Sequence, residues 1–317
     1  MKAARFFGPV GLVALLVLAL AGGVQAAQFV TIATGGTAGV YYPLGGALAE
    51  IFNQSVPGVN ASVQATGASV ANVNFLAQGQ VELAFIQNDI AYYAANGIEM
   101  FDGRKVERLR GVATLYPEVV QLVALKQANI RSVADLKGKR VAVGDIGSGT
   151  ELNARQILAA AGLTYKDLQA RYLSFAEASA NLRDGHIDAA FVTAGIPTAA
   201  IQDIAVQKDV VIVPITGEIS AQLEARYPFY TQVVVPAGTY RGHAQDVTTV
   251  AVKAMLVARA DLPEDLVYNL TRALFANLPR LAQAHARGKD IGEKTAKDGM
   301  SIPLHPGAER FYQELGR

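Results

Sequence analysis

Two glycine-rich turns carry the side chains with which this sequence could hold a small polar molecule. Each turn follows a short β-branched run and precedes an apolar stretch of helical periodicity, so each joins the carboxyl end of a strand to the N-terminus of a helix. Such an end offers unpaired backbone N–H groups and a partial positive charge, which bind carboxylates or phosphates without a cationic side chain. The hydroxyl groups of these turns belong to Thr37, Tyr41, Tyr42, Ser148 and Thr150.

The same turns lack the spacing of nucleotide-binding loops. Residues 144–150 contain two glycines at the spacing G-x-x-x-x-G, but Thr150 occupies the position of the phosphate-binding lysine, which excludes a P-loop. The first turn, TGGTAG at residues 34–39, has no G-x-G-x-x-G spacing. A small anionic ligand is therefore a better prediction than a nucleotide.

The sequence contains no recognisable catalytic or metal-binding arrangement. There is no G-x-S-x-G nucleophile elbow. Glu82 and Asp188 occupy matching positions of an internal repeat, which favours a structural role over an acid–base pair. The histidines neither pair at helical spacing nor lie in H-E-x-x-H, so no zinc site is predicted; they are His186, His243, His285 and His305. We therefore predict no enzyme activity, no metal and no cofactor.

Several of the polar residues have a structural interpretation as well as a functional one. Ser148 and Thr150 could each serve only as the N-cap of the following helix, since serine and threonine are preferred caps. Ser69, which follows Thr66-Gly67-Ala68, has the same two interpretations. Asn88 and Asp89 either project into the site or form an Asx turn or a helix cap.

The chain contains the same unit twice. The strand, turn and helix that begin at Phe29 return in the same order at Arg140. Later in each half the pattern G-x-[VI]-[ED]-x-A-F-[IV] appears, at residues 79–86 and 185–192. Each half also has a further strand candidate, at residues 61–66 and 171–175, and a further helix candidate, at residues 69–77 and 177–183. Two β-α-β-α-β units are predicted, with parallel strands covered by helices on both faces.

Two more strand candidates lie where the chain would pass between the units, at residues 119–125 and 247–257. We therefore predict two α/β lobes, of which the first is discontinuous. The first lobe comprises residues 28–117 and 254–317, and the second comprises residues 118–253. A helix over residues 266–277, after an acidic start at residues 261–265, would return to cover the first lobe.

The composition excludes several functional classes. The chain has 317 residues with 28 Lys and Arg against 27 Asp and Glu, so no basic surface for nucleic acid is predicted. The absence of cysteine excludes disulfides, thiolate ligands and cysteine nucleophiles. Residues 1–26 combine Lys2 and Arg5 with an apolar run at residues 12–21, which is too short to span a bilayer. This segment is predicted to be a secretory signal peptide cleaved after Ala26, which places the mature protein outside the cytoplasm.

The ordered motifs along the chain resemble those of the TAXI family of solute receptors. These are the extracytoplasmic binding proteins of one branch of the tripartite ATP-independent periplasmic (TRAP) transporters. The resemblance extends from Phe29 to the last helices, and the ordered set is specific where each motif alone is weak. The motifs are TGGTAGVYYP at 34–43, TGAS at 66–69, QND at 87–89, LKGKRV at 136–141, GSGT at 147–150 and LPEDLVY at 262–268.

The resemblance implies a type II periplasmic-binding-protein fold of the α/β class, in which two lobes joined by two hinge crossings hold one ligand in the cleft. It implies a monomer that delivers a small carboxylate to a TRAP permease. That carboxylate is a glutamate- or glutamine-like amino acid or a related oxo- or dicarboxylic acid. The implied ligand-binding residues are Gly36, Thr37, Ala38, Tyr41, Ser69 and Gln87 in the first lobe, and Ser148, Gly149, Thr150 and Thr193 in the second.

Other assignments remain open from the sequence. The family has no fixed arginine that clamps the carboxylate, and Arg155 either reaches a distal carboxylate or lies on a solvated helix face. A two-lobed secreted protein could instead serve an ATP-driven importer or a membrane sensor kinase, or use the same cleft as an enzyme. The genes beside this one would separate a TRAP receptor from the receptor of an ATP-driven importer, since a large multi-spanning permease without an ATPase favours the TRAP transporter.

Overall fold

The computed structural model of the protein describes residues 27–316. The predicted signal peptide and its cleavage after Ala26 lie outside the described residues. Within residues 27–316 no helix is both long enough and apolar enough to cross a membrane.

The described residues form ten strands that belong to one sheet. These strands are β1 (Gln28–Ala33), β2 (Val59–Gln64), β3 (Leu83–Gln87), β4 (Leu109–Leu125), β5 (Arg140–Ala142), β6 (Gln169–Arg171), β7 (Ala189–Ala194), β8 (Val210–Val213), β9 (Thr231–Val235) and β10 (Val247–Arg259). Neighbouring strands follow the order β2-β1-β3-β10-β4-β7-β5-β6, with β8 beside β4 and β9 beside β10.

Helices join most of the successive strands, three more follow the last strand, and each helix buries apolar side chains. In the first helix, for example, Leu44, Leu48 and Phe52 are buried at the helical spacing of four residues. The helices are α1 (Tyr41–Ser55), α2 (Ser69–Ala77), α3 (Asn88–Asn96), α4 (Gly149–Ala160), α5 (Phe175–Arg183), α6 (Ala199–Gln207), α7 (Glu218–Arg226), α8 (Glu264–Ala276), α9 (Leu278–Ala284) and α10 (Pro306–Glu314).

The repeated unit of the sequence corresponds to two sets of parallel strands. β1 pairs in parallel with β2 and β3, and β5 pairs in parallel with β6 and β7. In both sets the first strand lies in the middle and one helix joins each strand to the next, as parallel pairing requires. The prediction of two β-α-β-α-β units is therefore confirmed. We call the part built on β1–β3 the first lobe and the part built on β5–β7 the second lobe.

Two long antiparallel strands, β4 and β10, run through both lobes. The end of β10 pairs with β3 and with the beginning of β4. The end of β4 pairs with β7, and the beginning of β10 pairs with β9. Two hinge crossings thus join two α/β lobes, which is the type II periplasmic-binding-protein fold. The predicted lobe limits, at residues 117/118 and 253/254, fall within these two strands and remain a prediction.

The C-terminal helices pack onto the first lobe. The rings of Phe275 in α8 and Phe311 in α10 stack with centroids 5.4 Å apart. The hydroxyl of Tyr312 donates a hydrogen bond of 2.8 Å to the carbonyl of Val112 in β4. The chain therefore returns to cover the first lobe, as was predicted for the helix that follows the acidic start at residues 261–265.

Some element limits differ from those predicted. The strand predicted at residues 119–125 begins at Leu109 and continues through Pro117, next to a register shift between β4 and β10. Proline is tolerated at such irregularities because the regular ladder of hydrogen bonds is already interrupted there. The strand predicted at residues 171–175 lies at Gln169–Arg171, because Ser174 and Glu177 form a capping box that starts α5 at Phe175.

Candidate ligand-binding cleft

A cavity of about 180 Å³ lies between the lobes, at the carboxyl ends of the parallel strands. Open α/β sheets place their ligands at this edge, because loops and helix N-termini converge there. Each strand of both units contributes a wall segment, and the small volume limits the occupant to a small molecule. The segments are residues 35–41 after β1, 66–69 after β2, Gln87 at the end of β3, residues 145 and 148–150 after β5, 174–176 after β6, and 193–194 at the end of β7.

The structure brings all of the predicted site residues to this one cavity. The first lobe contributes the main turn, the start of α2 and the end of β3, and the second lobe contributes the start of α4 and the end of β7. Their role in ligand binding stays a prediction. The residues are Gly36, Thr37, Ala38, Tyr41, Ser69, Gln87, Ser148, Gly149, Thr150 and Thr193.

The hydroxyl groups that could act either as caps or as ligand donors differ in what they do. Ser148 is the N-cap of α4, since its Oγ accepts a hydrogen bond of 3.1 Å from the N–H of Glu151. Thr150 is not a cap: its Oγ1 accepts from the N–H of Thr193 at 3.4 Å, which links α4 to β7. Ser69 is not a cap either, because its Oγ accepts from the N–H of Gln87 at 3.2 Å.

Backbone groups of the two lobes meet directly beside the cavity. The N–H groups of Val70 and Ala71, in the first turn of α2, donate to the carbonyl of Gly147 at 3.0 and 3.2 Å. Ala68, which precedes α2, has φ 70° and ψ −143°, a conformation that non-glycine residues rarely adopt. The second lobe thus supplies the acceptor for a helix end of the first lobe that has no side-chain cap.

Two buried polar atoms in the cavity wall have no hydrogen-bond partner within the described residues. They are Oε1 of Gln87, from the first lobe, and Oγ1 of Thr193, from the second. Buried polar atoms are almost always hydrogen-bonded. The hydroxyl of Thr193 can donate a bond to a polar group in the cavity, whereas the amide oxygen of Gln87 can only accept one. A Cβ on Gly149 would collide with the Gln87 side-chain amide, so a larger residue at position 149 would force that amide to move.

Glu118 is a cavity residue that the sequence analysis missed. It lies in β4 and is only 2% exposed, and the hydroxyl of Tyr41 donates a 2.6 Å hydrogen bond to its Oε2. Burial raises the pKa of Glu118 to about 8; the Tyr41 hydrogen bond opposes this shift and the charge of Asp89 adds to it. Burial, followed by the charge of Glu118, also holds the pKa of Tyr41 well above its ordinary value. The signal available in the sequence was a single acid in the apolar run that follows Tyr116-Pro117.

Asn88 and Asp89 start α3 and do not line the cavity. The Oδ1 of Asn88 accepts from the N–H of Lys253 at 3.0 Å, and the Oδ1 of Asp89 accepts from the N–H of Ile90 at 2.8 Å. The Oδ2 of Asp89 accepts from Asn153 of the second lobe at 3.0 Å. Burial raises the pKa of Asp89 to about 6, against these hydrogen bonds.

The cavity wall contains no lysine or arginine. Arg155 forms an ion pair of 2.8 Å with Glu151 on α4, and its side chain is 48% exposed, so the solvated helix face is the correct interpretation for this residue. The acids in the wall are Glu118 and Asp145. Among residues 27–316 no group of histidines and acids is arranged to hold a metal ion. An anion in this cavity would therefore meet backbone N–H groups, hydroxyls and amides rather than a cation.

A family model described as NMT1-like matches residues 32–316, and the chain belongs to this family. Two solved structures share its fold. One is PhnD1 from Prochlorococcus marinus (MIT 9301) in complex with methylphosphonate, with 13% identity, a TM-score of 0.55, and coverage of 92% of this chain and 97% of that chain. The other is a putative L-cystine ABC transporter from Listeria monocytogenes, with 18% identity, a TM-score of 0.53, and coverage of 86% and 99%. The predicted fold class is thereby confirmed, while the narrower resemblance to TAXI receptors stays a prediction.

Proposed function

We propose that this member of the NMT1-like family is a periplasmic solute-binding protein, which captures a small anion between its lobes as a monomer and delivers it to a membrane transporter. The observation that carries the proposal is the cavity at the facing strand ends of both lobes, with helix N-termini of both lobes and the unpartnered hydroxyl of Thr193 in its wall. A ligand that contacts both lobes binds the closed state better than the open one and so drives closure.

A small carboxylate is the ligand class that we propose. Helix N-termini and the hydroxyls of Thr37 and Thr193 line the cavity, and both kinds of group donate hydrogen bonds to carboxylate oxygens. Glutamate- or glutamine-like amino acids and oxo- or dicarboxylic acids are within the size that the cavity allows. No catalysis is proposed for this cavity.

The class of transporter has two candidates. The sequence motifs resemble those of TRAP receptors, whereas the printed name of one structure with the same fold is that of an ABC transporter. The comparisons support an ATP-driven importer better than a TRAP permease. Uptake into proteoliposomes that hold the permease encoded beside this gene separates the two: ATP hydrolysis drives the first, and an ion gradient drives the second.

Ligand binding is tested by a thermal-shift screen of the mature protein against succinate, 2-oxoglutarate, L-glutamate, L-glutamine and methylphosphonate. A ligand at about 100 times its Kd should add about 2.7 kcal/mol to the free energy of unfolding. The variant Thr193→Val removes a cavity hydroxyl at nearly constant volume and should raise Kd about tenfold. The matched control Thr231→Val changes an exposed threonine of β9 and should leave Kd unchanged. Absence of a shift with all four carboxylates would count against the proposed ligand class, whether or not methylphosphonate binds.

A further inference from the structure

We propose that Glu118 takes part in ligand binding as a neutral carboxylic acid, which donates a hydrogen bond to an oxygen of the anionic ligand and so brings one proton into the closed cavity. The inference rests on the proposed function, because it requires that an anion occupy this cavity.

The position of Glu118 makes it part of the binding wall rather than of the surface. It lies in the crossing strand β4, opposite Val252 of β10, and it lines the cavity although it is only 2% exposed. One of its oxygens, Oε2, already accepts the hydroxyl of Tyr41 at 2.6 Å. The carboxyl is therefore held in place from α1 and stands where a ligand between the lobes would lie.

The groups that face Glu118 provide no counterion. Tyr41 reaches it from α1 and Gln87 from the end of β3, and both are neutral. Asp89 on α3 adds negative charge. Tyr116, which precedes it on β4, is buried and neutral, since burial raises its pKa well above the ordinary value. Arg287 acts on Tyr116 but does not contribute to the pKa of Glu118.

A buried carboxyl in these surroundings is stable as the neutral acid. Removing a carboxylate from water without a cationic partner is so unfavourable that the group binds a proton instead. Burial, with the added effect of Asp89, places the pKa of Glu118 at about 8, so the acid form predominates at pH 7.

Only the neutral form suits an anionic ligand. An ionised Glu118 accepts hydrogen bonds and repels a second carboxylate, whereas the neutral form has an O–H that it can donate. When a ligand binds to molecules in which Glu118 is ionised, one proton moves from solvent to its carboxylate. No bond within the ligand changes. The cavity can thus hold an anion without a lysine or an arginine in its wall.

The test compares the pH dependence of binding in the unmodified protein and in Glu118→Gln, measured by isothermal titration calorimetry with succinate and 2-oxoglutarate between pH 6.5 and 9.5. In the unmodified protein Kd should rise about tenfold per pH unit above pH 8, because the acid form is lost as pH rises through its pKa. Glutamine keeps an N–H donor at this position but has no titratable proton, so Glu118→Gln should lose the pH dependence.

Matched controls and further readouts separate the alternatives. Glu50→Gln, on the exposed surface of α1, should keep the pH profile of the unmodified protein. An equal pH profile in Glu118→Gln and the unmodified protein would overturn the proposal. A loss of more than tenfold in the affinity of Glu118→Gln for L-glutamate at pH 7 would also overturn it, because the ionised acid would then be pairing with the ligand's ammonium group.

Failure of the proposed function is distinguishable from failure of this inference. If neither diacid binds the unmodified protein, the proposed ligand class is wrong. The protonation state of Glu118 can then still be measured in the ligand-free protein. The ¹³C NMR signal of the Glu118 carboxyl, assigned by its loss in Glu118→Gln, should titrate near pH 8. A signal that titrates near the ordinary glutamate pKa of about 4.3 would contradict the neutral acid.

Discussion

The two lobes share one chain order but hold their first helices differently. In the second lobe Ser148 caps α4 within the same turn. In the first lobe α1 has no side-chain cap, and Tyr41 at its start bonds to Glu118 in the crossing strand β4. The start of the first helix is therefore capped by its own turn in the second lobe. In the first lobe it is hydrogen-bonded to the crossing strand β4 instead. The comparison indicates that a duplicated unit can keep its backbone plan while its polar groups take separate roles.

Away from the cavity the lobes agree. Glu82 accepts the backbone N–H of Thr31 in β1 at 2.9 Å, and Asp188 accepts that of Arg140 in β5 at 2.9 Å. Each acid also pairs with an arginine: Glu82 with Arg259 at 3.2 Å and Asp188 with Arg140 at 2.7 Å. The repeated acid therefore holds the first strand of each unit, and the structural role predicted from the sequence describes both copies.

The largest expected effect concerns the point where the lobes touch. The substitution Gly149→Ala adds a Cβ that collides with Gln87 and so obstructs closure. We expect affinity for the ligand, measured by calorimetry, to fall about 100-fold, or roughly 2.7 kcal/mol. The control Gly46→Ala adds a Cβ in α1 that meets no atom within 4 Å and should leave Kd unchanged. Unchanged affinity in Gly149→Ala would mean that the closed cavity is not the ligand-bound state.

The repeated acid should contribute to stability in both lobes alike. Asp188→Asn should lower the free energy of unfolding by about 1 kcal/mol at pH 7, and Glu82→Gln should have a similar effect. Hydrogen bonds from Arg140 hold the pKa of Asp188 below its ordinary value. Its contribution is therefore present above the unfolded pKa of about 3.9 and is lost as pH falls through the folded pKa. Urea unfolding at pH 7 measures the loss of stability in each variant, and urea unfolding at pH 3 shows whether the contribution of Asp188 disappears at low pH.

The matched control for the repeated acid is Asp184→Asn, since Asp184 pairs with Arg183 on the surface. Its loss should change the free energy of unfolding by less than about 0.5 kcal/mol. If Asp188→Asn behaves like this control while Glu82→Gln does not, the two acids are not equivalent.

An effect of similar size separates capping from binding in the second lobe. Ser148→Ala removes the cap of α4 and should lower the free energy of unfolding by about 1 kcal/mol. Thr150→Ala removes no cap, and we expect it to weaken ligand binding without unfolding the protein. Urea unfolding and calorimetry on both variants check this division. A larger loss of stability in Thr150→Ala than in Ser148→Ala would reverse the assignment.

The sequence predicted those features of the candidate site that depend on short stretches of consecutive residues. A β-branched run, a glycine-rich turn and an apolar-periodic helix start specify a strand end wherever they occur, and their repetition places two such ends in similar lobes. This is why Thr37 and Ser148 could be expected near one cavity before its geometry was known. The end of β4 was predicted from the apolar run at residues 119–125, whereas its first half was not, because Pro117 is unusual inside a strand.

The amino-acid sequence by itself determined the two repeated units, the crossings between them and the turns that face the cleft, because these follow from hydrophobic periodicity and turn chemistry over short stretches. Only the tertiary structure decided which hydroxyl is a cap, that the Gln87 amide lies against Gly149, and that Glu118 is a buried acid in the cavity wall. Those properties depend on partners distant in the chain, such as Tyr41, which lies 77 positions from Glu118. Burial and pairing of this kind set the pKa of a carboxyl, and no local pattern encodes them.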